Sequence, residues 1–151
     1  MKQVYKPGDY IIDFSSIYEV TGVDAGVLHY KPIRGTDKVF TASIPVDNLS
    51  RTSLRNLLTT VEIEKILTEL TKPLADTYEY NAHQIKEDMY LNDPLKVVPH
   101  LKYFWSKAGV LPRTDRELMA EMMDHISLEI EFVTNQPKTT VVKQLEKHLG
   151  N

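Results

Sequence analysis

Glu121, Asp124 and His125 are the residues of this chain whose types and spacing come nearest to chemistry. Two carboxylates and an imidazole within five positions are what a divalent metal, or a general acid and base, would use. They lack a further ligand at a diagnostic spacing, and charged helix faces commonly carry such residues without convergence. The other histidines of the five are scattered. No phosphate-binding glycine loop, nucleophile elbow or HExxH pattern occurs. With no cysteine, thiol catalysis, Cys-ligated zinc and disulfide frameworks are excluded. The expectation is a protein without catalytic, cofactor or metal site, and a small metal-dependent hydrolase built on these three residues is the remote alternative.

Recognition chemistry offers more. Trp105, the single tryptophan, continues a helical stripe with Val98 and Leu101, which assigns it to a core. Tyr78 and Tyr80 lie beside an expected hinge, where an aromatic ring either stays exposed for stacking or packs neighbouring parts together. Met119, Met122, Met123 and Ile126 fit an adaptable groove or, by their helical spacing, ordinary core. Arg51 and Arg55 suit a phosphate or an acidic partner, or local surface ion pairs. The stretch Val39 to Ile44 suits an edge to which a partner strand adds, with Thr41 and Ser43 facing outward.

These side chains need two kinds of scaffold. Up to about Pro45, short runs rich in Val, Ile, Tyr, Phe and Thr (Asp9 to Phe14, Ile17 to Val23, Val27 to Ile33 and Val39 to Ile44) read as strands. Pro7-Gly8, Asp24-Ala25-Gly26 and Arg34-Gly35-Thr36-Asp37 supply the turns. Four or five such strands make a curled antiparallel sheet of Tudor-like or SH3-like barrel size. After Thr59 the apolar period lengthens to about 3.6 residues. Thr59 with Glu62 has capping-box spacing, and Ile63, Ile66, Leu67 and Leu70 share a face.

A hinge is expected over Lys72 to Thr77, around Pro73. A helix then covers about Tyr80 to Leu91. Asn92 or Asp93 caps the next, with Pro94 at its first position and Gly109 as its C-terminal cap. Thr114 with Glu117 repeats the capping-box signature and opens a long helix to about Val133, and a last helix runs from Pro137 to near Gly150. The second half therefore reads as a bundle of four helices.

The composition, 42% hydrophobic and 26% charged, is that of a globular protein. The net charge of −3 excludes a protein that holds nucleic acid by charge alone. Up to Lys72 there are nine basic and nine acidic residues, and beyond it nine and twelve, so the helical half is the acidic one. No apolar run approaches the roughly 18 residues of a membrane span. The opening MKQVYKPGDY lacks the apolar core of a signal peptide, so a cytoplasmic location is expected.

The order of several short motifs resembles the CarD-like transcription regulators, whose polymerase-binding module is shared with the transcription-repair coupling factor. That family opens with Gly-Asp and a β-branched strand, here Gly8-Asp9-Tyr10-Ile11-Ile12. It continues to Thr-x-x-Val-Pro-x-x-Asn, here Thr41-Ala42-Ser43-Ile44-Pro45-Val46-Asp47-Asn48, with an arginine following at Arg55 and a helix at Ile63 to Leu70. Leu95 to Trp105 and Leu111 to Ala120 resemble two family helices. The usual Tyr-Pro-x-His-Gly is replaced by Asp13-Phe14-Ser15-Ser16-Ile17, and the arginine that often precedes Val-Pro is Ser43.

The resemblance implies an α+β chain in three parts: a Tudor-like barrel that binds RNA polymerase at 1–58, a connecting helix and hinge at 59–77, and a helical domain at 78–151. It implies docking on the RNA polymerase β subunit through Thr41, Ser43, Ile44 and Pro45. It also implies contact with promoter DNA at the upstream edge of the transcription bubble, which stabilises the open complex. The family's DNA wedge is a tryptophan followed by basic residues. Here Tyr78 stands in its place, Glu79, Tyr80, Asn81 and His83 replace most of the basic group, and Arg116 matches a basic position. The DNA-contacting set is thus Tyr78, Tyr80, His83 and Arg116. The alternative is an adaptor that binds polymerase and has lost the wedge.

Overall fold

The computed structural model describes residues 4–13, 16–35 and 41–150. Phe14, Thr36, Asp37, Val39 and Phe40, which belong to expected strands and turns, lie outside them. The chain is α+β and divides into two compact units, Met1–Leu57 and Leu58–Asn151.

Among the described residues the first unit holds one antiparallel sheet of five strands: β1 (Tyr10–Ile12), β2 (Ser16–Asp24), β3 (Val27–Gly35), β4 (Ala42–Pro45) and β5 (Arg55–Asn56). Their order is β4-β3-β2-β1-β5, so the sheet is open among the described residues, with β4 and β5 at its edges. A 3-10 helix over Val46–Arg51 carries the chain from one edge to the other. Alternation buries Ile11, Tyr18, Val20 and Leu28 on one face, where Tyr30, Ile44, Val46, Leu49 and Leu54 pack against them. The bulges after Ile17 and Val20 break the β2–β3 register, which sharpens the twist of β2.

Two turns position these strands. Asp24 pairs with Val27, leaving Ala25 and Gly26 as a two-residue loop with φ of 52° and 76°. Both values lie in the region that primed hairpin turns require, so Ala25 sits where an L side chain is disfavoured. Between β1 and β2, the Asp13 carboxylate accepts from Ser16 N at 2.9 Å and from the Tyr18 hydroxyl at 2.8 Å. Asp13 thus ties the end of β1 to β2.

The second unit holds α1 (Thr60–Thr71), α2 (Ala82–Tyr90), α3 (Pro94–Ser106), α4 (Arg113–Thr134) and α5 (Lys138–Leu149). The body therefore has five helices rather than four, because α1 packs on α3, α4 and α5. Its buried Ile63, Ile66 and Leu70 join Leu101 and Phe104 of α3, Met122, Ile126 and Ile130 of α4, and Val141 and Leu145 of α5 among the buried residues. Residues 59–77 belong to this unit, and the stretch after α1 is tied down: Lys102 Nζ donates to the carbonyls of Glu69 at 3.1 Å and Pro73 at 3.3 Å.

Helix ends follow the sequence in part. Thr59 and Glu62 form both bonds of a capping box. Asp93 caps α3 ahead of Pro94, while Asn92 takes φ 55° in the turn before it. Two expected caps are absent. The α3 helix ends at Ser106 with Lys107 as its C-cap, two residues before Gly109, whose φ is not positive. The α4 helix begins at Arg113 behind Pro112, which places Thr114 and Glu117 inside its first turns. Among the described residues, no helix is long and apolar enough to cross a membrane.

Candidate functional site

Two places gather the residues singled out from sequence. The first is the outer edge of β4. Register pairs Leu28 with Ile44 and Tyr30 with Ala42, and Val46 N donates to Gly26 O at 2.9 Å. Antiparallel bonding alternates along a strand, so the peptide groups of Ala42 and Ile44 turn toward β3. Those of Thr41, Ser43 and Pro45 turn away, and all three residues are exposed. Pro45 has no N–H, and this edge is the position in a sheet that tolerates proline. Ile44 packs against the core, and the outward Thr41, Ser43 and Pro45 carry no charge.

The second place is in the helical unit, where the segment before α2 meets α3. The Tyr78 hydroxyl is 2.8 Å from His100 Nδ1, and His100 Nε2 is 2.7 Å from Asp88 Oδ2. Gln84 Nε2 donates to the other oxygen of Asp88 at 3.0 Å. An ionised carboxylate only accepts, so Nε2 of His100 carries the proton that faces Asp88. His100 is buried and Tyr78 half-buried. Burial, joined by the neighbouring phenols of Tyr103 and Tyr80 and by Asp88, pushes the Tyr78 hydroxyl up to about 12.

Tyr103 lies between two other tyrosines. Its ring centroid is 5.3 Å from that of Tyr78 at 29°, and 5.3 Å from that of Tyr80 at 35°. Phe104 supports the edge of Tyr80 at 6.4 Å. The Tyr80 hydroxyl donates to the carboxylate of Asp115, 3.1 and 3.2 Å from its two oxygens, and burial followed by this bond raises its pKa. At 43% exposure, Tyr80 is the outer member of the stack.

Of the four expected DNA-contacting residues, the structure brings Tyr78 and Tyr80 into one cluster. It leaves His83 on the exposed side of α2, with Nε2 2.9 Å from Glu87 Oε1. Arg116 is exposed on α4 beside Asp115 in sequence. Trp105 is half-buried on α3, and Met122 and Ile126 are core. Glu121 is exposed and Asp124 faces Lys138 at 3.3 Å. No group of three or more potential ligands converges on a metal position among the described residues. Arg55 is half-buried on β5, with Nη1 donating to Asn56 O at 2.9 Å.

Sequence reasoning missed His100, Asp88, Tyr103 and Glu129. The signal for His100 lay in its position, three residues after Val97 and four before Phe104, on the stripe that the core requires. A histidine there must find polar partners. Glu129 is 1% exposed, and its Oε2 accepts from Leu58 N at 2.7 Å, where the chain enters the helical unit.

No protein-family model matches this chain, and no curated protein is similar enough to count as a relative.

Proposed function

We propose that this protein is a CarD-like regulator of bacterial transcription that acts in the cytoplasm by binding rather than by catalysis. Its first unit is read as a Tudor-like barrel module docking on the β subunit of RNA polymerase, and its helical unit as the part that works at promoter DNA. The observation that carries the reading is the β4 edge. Among the described residues it is uncharged and open beyond Thr41, Ser43 and Pro45, in the motif on which the family resemblance rests. The strand order supports the barrel reading, since β5 returns past a 3-10 helix to pair with β1, as closure of a small barrel requires. Strand addition here supplies main-chain hydrogen bonds, and docking raises the local concentration of the helical unit, so a weak DNA contact suffices.

The wedge-free adaptor has an observation of its own in its favour. The Tyr78 ring stacks on Tyr103 and its hydroxyl faces His100, so insertion between bases requires leaving both.

A pull-down with the isolated polymerase β lobe tests the docking. Wild type is retained, and Ser43→Pro, which removes an outward N–H, is not. Absence of wild-type binding overturns the reading. Open-complex lifetime then separates the two versions: an effect that survives Tyr78→Ala belongs to the adaptor.

A further inference from the structure

We infer that the stacked phenols of Tyr80, Tyr103 and Tyr78 form a one-electron oxidation path. An oxidant takes an electron at Tyr80, and the oxidised state settles on Tyr78 as a neutral tyrosyl radical whose proton has moved to Nδ1 of His100. The inference rests on the geometry of the helical unit and is independent of the polymerase reading.

The path has an outer and an inner end. Tyr80 is exposed to solvent, and Tyr78 is half-buried. Tyr103 lies between them, with ring centroids 5.3 Å from each. Rings in such contact exchange an electron without a covalent link. The chain has no cysteine to compete as a radical sink, and its single indole, Trp105, makes no ring contact with these phenols among the described residues.

The three phenols differ in where a proton can go. A phenol that loses an electron becomes strongly acidic, so the radical rests where a base waits. The Tyr78 hydroxyl is 2.8 Å from Nδ1 of His100, within the reach of direct proton transfer. Nε2 carries the proton that faces Asp88, so in the neutral ring Nδ1 holds the lone pair. The Tyr80 hydroxyl faces the carboxylate of Asp115, a weaker base than an imidazole. The Tyr103 hydroxyl bonds no protein group among the described residues, so the oxidised state passes through it.

The step balances. The O–H bond of Tyr78 breaks, an N–H bond forms on Nδ1, and one electron leaves through Tyr103 and Tyr80 to the external oxidant, which is reduced by one equivalent. The imidazolium so formed faces Asp88, whose other oxygen is held by Gln84 Nε2 at 3.0 Å. An external one-electron reductant such as ascorbate reverses both transfers. The stack therefore acts as a trap that draws oxidising radicals inward to a half-buried ring.

Laser-flash oxidation of the full chain by photogenerated tris(bipyridyl)ruthenium(III) tests the path, at about pH 8, where an ordinary imidazole is neutral. Wild type forms a long-lived neutral tyrosyl radical, followed by transient absorption and electron paramagnetic resonance, and forms it more slowly in deuterium oxide. Tyr78→Phe loses the long-lived radical, and Tyr80→Phe forms it more slowly because the entrance is blocked. Tyr90→Phe, at an exposed tyrosine that is not one of the three, behaves as wild type. Circular dichroism checks that the variants fold; if Tyr78→Phe does not, Tyr80→Phe and the isotope effect decide. A long-lived radical that persists in folded Tyr78→Phe overturns the proposal, as does formation unaffected by deuterium oxide or by Tyr80→Phe. No polymerase enters the measurement, so either idea fails without the other.

Discussion

The Tyr78 hydroxyl lies 2.8 Å from Nδ1 of His100, whose Nε2 is held by Asp88. This relay fastens the segment between α1 and α2 to the helical body. Replacing Tyr78 by phenylalanine keeps the ring that stacks on Tyr103 but leaves Nδ1 of the buried His100 without its hydroxyl partner. Tyr78→Phe is expected to cost about 1–3 kcal/mol in denaturant unfolding. A wild-type midpoint would show that the bond is not made.

Alkaline pH tests the same group. The Tyr78 pKa is raised from 10.0 to about 12, so the folded state holds this proton more tightly than the unfolded chain. Its stabilising effect is complete below pH 10 and is lost as pH rises toward 12. The slope of stability in that window should be shallower in Tyr78→Phe than in wild type, measured by urea midpoints at successive pH values.

Glu129 predicts a graded response. Its buried carboxylate accepts the Leu58 N–H at 2.7 Å. Glu129→Ala is expected to lose about 2–4 kcal/mol, since the deletion removes the acceptor of the Leu58 N–H and leaves a cavity. Glu129→Gln keeps an acceptor and should lose less. Amide exchange at Leu58 should speed up in the alanine variant.

The Ala25 turn predicts a gain. An L residue at positive φ costs about 1–2 kcal/mol, and glycine relieves this while adding about 0.4–1 kcal/mol of unfolded-state entropy. Ala25→Gly should therefore stabilise the sheet unit by about 0.5–1 kcal/mol, read from its thermal transition.

Thr59 and Thr114 carry the same capping signature, each followed three residues later by glutamate, and they separate what sequence reveals from what it hides. Thr59→Ala should cost about 1 kcal/mol. Thr114→Ala should be neutral or slightly stabilising, because alanine is the better helix former inside a first turn. Thermal melts of the two variants check the contrast.

The physical cause of the difference is Pro112. Its extended ψ of 158° starts α4 at Arg113, and Glu117 pairs with Arg113 at 3.0 Å instead of reaching back to a cap. Long periodic segments such as Ile63 to Leu70 were legible because burial repeats their spacing. The two-residue β5 was not, because Arg55–Asn56 is too short to show alternation and exists through its partner β1. The site divides in the same way. Thr41 and Ser43 were legible as outward residues of a strand. The Tyr78–His100–Asp88 relay joins three elements that only tertiary packing brings together.

The sheet order also fixes a sequence of events in time. The β2–β3 hairpin closes over two residues, whereas β1 must wait for β5, which lies beyond the intervening hairpins and the 3-10 helix. Loop-closure entropy grows with that separation, so the β1–β5 pairing is expected to form last and open first. Amides that bridge β1 and β5 should exchange ahead of those between β2 and β3. That order would give the sheet a slow, early-formed centre and a fast-opening margin at β5, opposite the β4 edge.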